Sequence, residues 1–274
     1  MTSLPRISIV TPSYNQGRYR GELIESVVAQ RDPNFEHIVM DGGSTDETVA
    51  VLKRSPHVIW RSEKDAGQSD AVCKALAMAT GEFIGWINSD DFYYPGAFAA
   101  AREAFARDPS LGVVTGDYRF VDANGRILRE RREVAFDRGV YLYAGKSTLG
   151  NGAAFFRKAV LDRHGGPRRD LHHSMDFELF LRVSATVKFG HVRQCLASYR
   201  LHEESKTTKD LARGVRESLA VRLEYLSRER GGAPLRKLPF DVRLRGAFYM
   251  ARRFARKLKS GCYGNASAKT QIRG

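Results

Sequence analysis

From the amino terminus the chain alternates two hydrophobic rhythms. Short β-branched runs occupy residues 7 to 11, 36 to 41, 58 to 62, 83 to 88 and 112 to 116, and stretches of helical period lie between them at 22 to 30, 46 to 53, 68 to 79 and 97 to 107. Strands that alternate with helices of about ten residues form βαβ units, which assemble into a mostly parallel α/β sheet with helices on both faces. The rhythm changes after residue 117. Asn124-Gly125 predicts a hairpin with arms at 118 to 121 and 127 to 129. An apolar segment at 153 to 156, a helix at 176 to 184, a strand pair within 187 to 199 and a helix at 210 to 228 follow.

Open parallel sheets bind ligands beyond the carboxyl ends of their strands. Chemistry is therefore expected in the four segments that leave the first four strands. These are Thr11-Pro12-Ser13-Tyr14-Asn15, Asp41-Gly42-Gly43-Ser44-Thr45-Asp46, Glu63-Lys64-Asp65-Ala66-Gly67-Gln68 and Asn88-Ser89-Asp90-Asp91. None carries a GxGxxG or GxxxxGK[ST] turn, which argues against dinucleotide oxidoreductases and P-loop phosphotransferases. Asp90 and Asp91 at the end of a buried strand are costly unless a cation neutralises them. A divalent ion shared with substrate phosphate oxygens would do so, and it would stabilise a departing diphosphate as a Lewis acid. The plainer alternative is a solvated turn that caps the next helix. Ser44 or Thr45, helped by Glu47, is expected to cap the second helix. Asp65, Gly67 and Gln68 open the third helix, whose free amides favour an anionic or hydrogen-bonding ligand.

Charge divides the chain. Of the 274 residues, 45 are Lys or Arg and 31 are Asp or Glu, a net charge of +14. Residues 213 to 274 hold 16 of the basic and 4 of the acidic side chains, so a nearly neutral body ends in a tail of net +12. A basic tail on a neutral body suits attachment better than a nucleic-acid groove. No run of about 18 uncharged apolar residues offers a membrane span. The apolar stretch at 7 to 10 is too short for a secretory signal. The expected location is the cytoplasm, either free or peripheral on the cytoplasmic face of a membrane. Three cysteines without CxxC spacing suggest neither a disulfide framework nor a zinc knuckle.

Taken in order, Thr-Pro-Ser-Tyr-Asn at 11 to 15, Asp-Gly-Gly-Ser-Thr-Asp at 41 to 46, Gly-Gln-Ser-Asp-Ala at 67 to 71, Thr-Gly-Glu at 80 to 82 and Asn-Ser-Asp-Asp at 88 to 91 resemble a family 2 glycosyltransferase of the GT-A fold. The resemblance covers roughly residues 5 to 208. It implies a Rossmann-like nucleotide-binding sheet and transfer of a sugar, with inversion, from a nucleotide diphosphate donor to a saccharide or lipid-linked hydroxyl. Residues 1 to 117 would form the donor half, 118 to 210 the acceptor half and 211 to 274 a basic helical tail. Donor contacts would come from Pro12, Tyr14, Asn15, Asp41, Asp65, Gly67, Gln68, Ser89, Asp90, Asp91, Arg200 and Lys206. Asn88 stands where the family motif often begins with Asp, so Asp90 is taken as the direct ligand of Mn²⁺ or Mg²⁺, and His202 would complete the metal site.

An attacking hydroxyl must lose a proton. Asp176, in His172-His173-Ser174-Met175-Asp176-Phe177-Glu178, resembles the family's catalytic base at the head of the acceptor-side helix, although Met175 replaces a common Glu. A first-turn Asp that merely complements the helix dipole is the alternative. His172 and His173 are not read as a metal pair, since adjacent side chains diverge and no third ligand has suitable spacing; one of them could touch the acceptor. A nucleotidyltransferase and a non-catalytic nucleotide-sugar-binding module are the competing functions.

In the tail, Leu244, Phe248, Ala251, Phe254 or Ala255, and Leu258 recur at helical spacing from 241 to 259, with Arg245, Arg252, Arg256 and Lys259 on the other side. This basic amphipathic helix is expected either to lie on anionic lipid or to pack on the body with its basic face in water. Nucleic acid is the least favoured partner.

Overall fold

The computed structural model describes residues 4 to 262, without the Thr207 side chain; the end of the expected tail, 263 to 274, lies outside the described residues. The first half follows the βαβ rhythm: β1 (Ile7–Ser13), α1 (Gly17–Val28), β2 (Phe35–Asp41), α2 (Thr48–Lys53), β3 (Val58–Ser62), α3 (Gln68–Met78), β4 (Phe83–Trp86) and α4 (Ala97–Arg107). β1 pairs in parallel with β2 and β4, and β2 with β3, so all four carboxyl ends point to one edge. Side chains alternate along each strand: Ile7 and Ile9 enter the core beneath α1 and α4, while Val10 joins Ile38 and Met40 on the opposite face against α3.

The second half extends the same sheet. β5 (Leu111–Val121) runs through position 117 without a break, so the predicted fifth strand and first hairpin arm are one strand. β7 (Ala154–Arg157) returns antiparallel between β4 and β5, and β6 (Ile127–Arg131) continues along the same edge of β5. In place of the expected strand pair, β8 (Lys188–Arg200) is one strand parallel to β5 along its other edge. Its register shifts near Gly116 and Asp117 account for the broken hydrophobic pattern. A short helix α5 (Lys158–His164), a π-helical turn (Val140–Ala144) and a 3₁₀ turn (Asn151–Ala153) lacked any periodic signal. α6 (Met175–Val183) packs into the core through Phe177, Leu179, Phe180 and Leu181.

After α7 (Lys206–Lys209) come α8 (Leu211–Glu229) and α9 (Phe240–Lys259). α9 docks on the π-helical turn in an orientation opposite to a solvated basic face. Val242, Gly246, Arg253 and Lys257 are buried, whereas Phe240, Leu244, Phe248 and Leu258 are 74%, 57%, 63% and 54% exposed. Charge decides this. The Glu133 carboxylate, closed off from water, receives Arg253 at 2.5 Å, Arg131 at 2.6 Å and Lys257 at 3.2 Å. Asp137 receives Arg252 and, at 3.4 Å, Arg256. Gly246 permits the close approach, since a Cβ there would lie 2.7 Å from the Tyr143 carbonyl oxygen, and Tyr249 stacks on Tyr143 with centroids 5.4 Å apart.

Candidate functional site

The exits of β1 to β4 meet the heads of α6 and α7 around a cleft of about 660 Å³. On the β1 side it is lined by Pro12, Ser13, Tyr14 and Gln16, with Tyr14 62% exposed at the rim. Asn15, in a left-handed conformation at φ 51°, lies outside the lining: its Oδ1 accepts the Thr45 amide at 2.9 Å and its own amide donates to Ser44 Oγ at 2.8 Å. Asp41 is also outside the lining, buried, and accepts the Ser44 amide at 2.9 Å and the Ser62 hydroxyl at 2.6 Å. The expected caps differ. Asp46, not Ser44, Thr45 or Glu47, accepts the Thr48 amide at 3.0 Å and the Gly17 amide at 2.9 Å, because its carboxylate lies between the first turns of α2 and α1.

Asp65, Gly67 and Gln68 all line the cleft. Asp65 Oδ1 accepts the Gly67 amide at 2.8 Å, and Gly67 at φ 113° opens α3 in a conformation that disfavours any side chain. Gln68 bridges the two halves, donating to Asn88 Oδ1 at 2.8 Å and accepting from Lys206 Nζ at 3.0 Å. Asn151 donates to the same Asn88 oxygen at 3.2 Å.

The acidic corner follows β4. Ser89, buried, donates to the Pro12 carbonyl at 2.5 Å and so ties the exits of β1 and β4 together. Asp90 faces the cleft, and its Oδ2 is 3.0 Å from His202 Nε2. Asp91 is buried; burial and the neighbouring Asp90 charge push its carboxyl well above the ordinary range, despite an amide bond from Arg200 at 2.7 Å. Arg200 lines the cleft, but its guanidinium is committed to protein acceptors: the Asp90 carbonyl at 2.6 Å, the Asp122 and Ala123 carbonyls at 3.2 and 3.0 Å, and Glu22. His202 stands behind the lining, with its ring 4.9 Å from that of Tyr19. The Asp90 carboxylate on the cleft wall and the His202 imidazole behind it offer one oxygen and one nitrogen to Mn²⁺ or Mg²⁺, with further oxygen ligands needed. Among the described residues no group of three His, Cys, Asp or Glu side chains converges on one point, so any such ion would need donor oxygens or water to complete its shell.

On the opposite side, Asp176 lies in the first turn of α6 and lines the cleft with Met175, His172 and His173. Its carboxyl accepts the Phe177 amide at 2.7 Å, and burial pushes its pKa up to about 6 against that bond. Tyr141 stacks on Phe177 at 5.0 Å and spends its hydroxyl on the Thr148 and Leu149 amides. Glu217 of α8 accepts the amides of His172, His173 and Ser174 at 3.0, 2.6 and 2.6 Å. Burial opposes its charge, yet these three bonds hold Glu217 below its ordinary pKa.

Sequence reasoning missed Glu217, and nothing in its surroundings in α8 separates it from a solvated helix acid. It also missed Arg20, buried in α1 with its pKa lowered to about 10 by burial against the pull of Asp41 and Asp46. A basic residue within the apolar stripe of Tyr19, Leu23, Ile24 and Val27 was the available signal. Three lining residues carry buried polar atoms that have no protein partner among the described residues: Ser13 Oγ, Gln16 Oε1 and Trp86 Nε1. Such atoms are rare in folded proteins and are accounted for by a polar ligand or water.

Residues 8 to 165 match the model of Glycosyl transferase family 2. The chain is 26% identical over 231 residues to the chondroitin synthase of Escherichia coli, which covers 82% of this chain and 33% of that protein; it therefore spans about a third of that relative's length. It is 32% identical over 204 residues to an uncharacterized glycosyltransferase of Mycobacterium tuberculosis, covering 73% of this chain and 76% of the other. In fold it resembles the mannosyltransferase PcManGT from Pyrobaculum calidifontis in complex with GDP-Man and Mn²⁺, with a TM-score of 0.63 at 19% identity over 97% of this chain and 77% of that one. The family match spans more than half of the residues and the sheet has the same architecture as that enzyme: the chain belongs to glycosyltransferase family 2 and has the GT-A fold.

Proposed function

We propose that this glycosyltransferase moves a sugar, with inversion, from a nucleoside diphosphate donor to a hydroxyl of a saccharide or lipid-linked acceptor in polysaccharide or glycolipid synthesis. The observation that carries the reading is the placement of two unlike carboxylates on one cleft: Asp90 beside His202 on one wall, and Asp176 with a pKa raised to about 6 on another. Asp90 and His202 would hold Mn²⁺ or Mg²⁺, and the ion when bound would offset phosphate charge as the glycosyl bond breaks. Tyr14 offers a ring for the base to stack on. The open amides of α3 and the Lys206 ammonium offer donors to phosphate. Asp176 takes the acceptor proton as its oxygen attacks the anomeric carbon, and the nucleoside diphosphate leaves from the opposite face. Arg200 acts as a positioning residue: it fixes the Asp90 carbonyl and the Asp91 carboxyl rather than the donor.

The test is nucleoside diphosphate release from a panel of nucleotide sugars with Mn²⁺ and soluble saccharide acceptors. Release that depends on acceptor and stops with chelator is expected. Donor binding without release for any pair would assign the chain to non-catalytic nucleotide-sugar binding.

A further inference from the structure

α9 is held to the body by its charged side, which leaves a face that folding does not explain. Arg253 and Lys257 meet Glu133, Arg252 and Arg256 meet Asp137, and Tyr249 stacks on Tyr143. Opposite them, Phe240, Leu244, Phe248 and Leu258 form an outward stripe along the helix. An amphipathic helix would ordinarily bury such a stripe. Here three cations converge on one carboxylate beneath it, and reversing the helix would strand that buried charge.

From this arrangement we infer that α9 is a docking face for an anionic membrane surface, with the apolar stripe entering the headgroup boundary. Charge complementarity selects the partner. Arg243, Arg245 and Lys259 are exposed beside the stripe, and at the carboxyl-terminal end Lys259 and Arg193 line a cleft of about 390 Å³ that Glu133 also borders. Basic groups beside an apolar stripe match acidic lipid headgroups. A second copy of the chain would set the same cations against each other. No helix among the described residues is long and apolar enough to cross a membrane, so attachment of this kind would be peripheral.

The position of the helix adds a consequence for the acceptor, which rests on the glycosyltransferase reading. α9 lies on the Val140–Ala144 turn, and Tyr141 of that turn stacks on Phe177, the neighbour of Asp176. The membrane face is thus joined to the acceptor side of the cleft rather than to the nucleotide side. A lipid-linked acceptor is the substrate class that this geometry serves.

The test is flotation of the full chain with phosphatidylcholine vesicles, with and without phosphatidylglycerol. The wild type is compared with a Leu244→Glu/Phe248→Glu double variant and with Ile59→Glu, a control on the distant edge strand β3. The wild type and the control should float with the anionic vesicles and much less with the neutral ones. The double variant should lose at least tenfold in partition while its circular dichroism and its binding of nucleoside diphosphate with Mn²⁺ stay unchanged. A wild type that remains at the bottom, or a double variant that floats equally well, overturns the inference. So does light scattering that shows a wild-type dimer converted to monomer by the double variant, which would give the stripe to a second copy. Failure of the wild type to bind or turn over any donor would strike the transferase reading and leave the flotation result standing.

Discussion

The corner after β4 and the head of α6 present carboxylates to the same cleft but treat them in contrary ways. At the corner, Asp90 has His202 at 3.0 Å, and Asp91 receives the Arg200 amide while sharing its surroundings with the Asp90 charge. Neighbouring carboxylates oppose each other's ionisation, and burial together with the Asp90 charge raises the Asp91 carboxyl well above its ordinary range. At α6, Asp176 has no counter-ion among the groups that shift it; burial alone raises its pKa, and the Phe177 amide and its own restrain the rise. A carboxylate on the cleft wall beside an imidazole suits a cation, and one whose pKa approaches neutrality suits proton transfer.

The sharpest break between the two sites is expected from Asp176→Asn. Loss of a general base should lower acceptor-dependent turnover by roughly 10³-fold with nucleotide affinity unchanged, measured by steady-state release of nucleoside diphosphate. A smaller effect is expected from pH. Because Asp176 must be deprotonated to act, kcat/KM should rise about tenfold per unit up to pH ~6 and level off above it. A profile without an acid limb near that value would remove Asp176 as the base. The same raised pKa has a stability sign: the folded state holds this proton more tightly than the unfolded chain, so its contribution is fully present below the unfolded carboxylate pKa and is lost as pH rises through about 6. Glu217 is the opposite case. Its lowered pKa contributes stability above the unfolded value and loses it as pH falls. The smallest effect is expected from Glu217→Gln, about 1–3 kcal/mol of stability, read as a Tm several degrees lower, with nucleotide affinity intact.

The two regions also differ in how far the sequence disclosed them. The strand-exit side of the cleft was readable because each β-branched run is followed at once by its polar loop, so local order alone placed Pro12, Asp65, Gly67, Ser89 and Asp90 at one edge. Asn15 and Asp41 come from the same loops but turn to the protein, binding Thr45, Ser44 and Ser62, a choice that depends on side-chain geometry rather than spacing. The α6 side of the cleft is assembled from long-range contacts. β8 finds β5 across about seventy residues, and Glu217 reaches back from α8 to the amides ahead of Asp176. In α9 the period disclosed two faces but not which one turns inward. That was settled by Glu133 and Asp137, acids in an otherwise arginine-rich segment more than a hundred residues earlier.

The central claim is that the corner after β4 binds the leaving diphosphate while Asp176 acts only on the acceptor. Calorimetric titration of UDP and GDP, each with Mn²⁺, into the wild type, Asp90→Ala and Asp176→Asn tests it directly. For whichever nucleotide binds the wild type, Asp176→Asn should keep the affinity and Asp90→Ala should lose at least about tenfold, the least expected when a metal's surroundings are damaged. Full affinity in Asp90→Ala, or its loss in Asp176→Asn, would contradict the account.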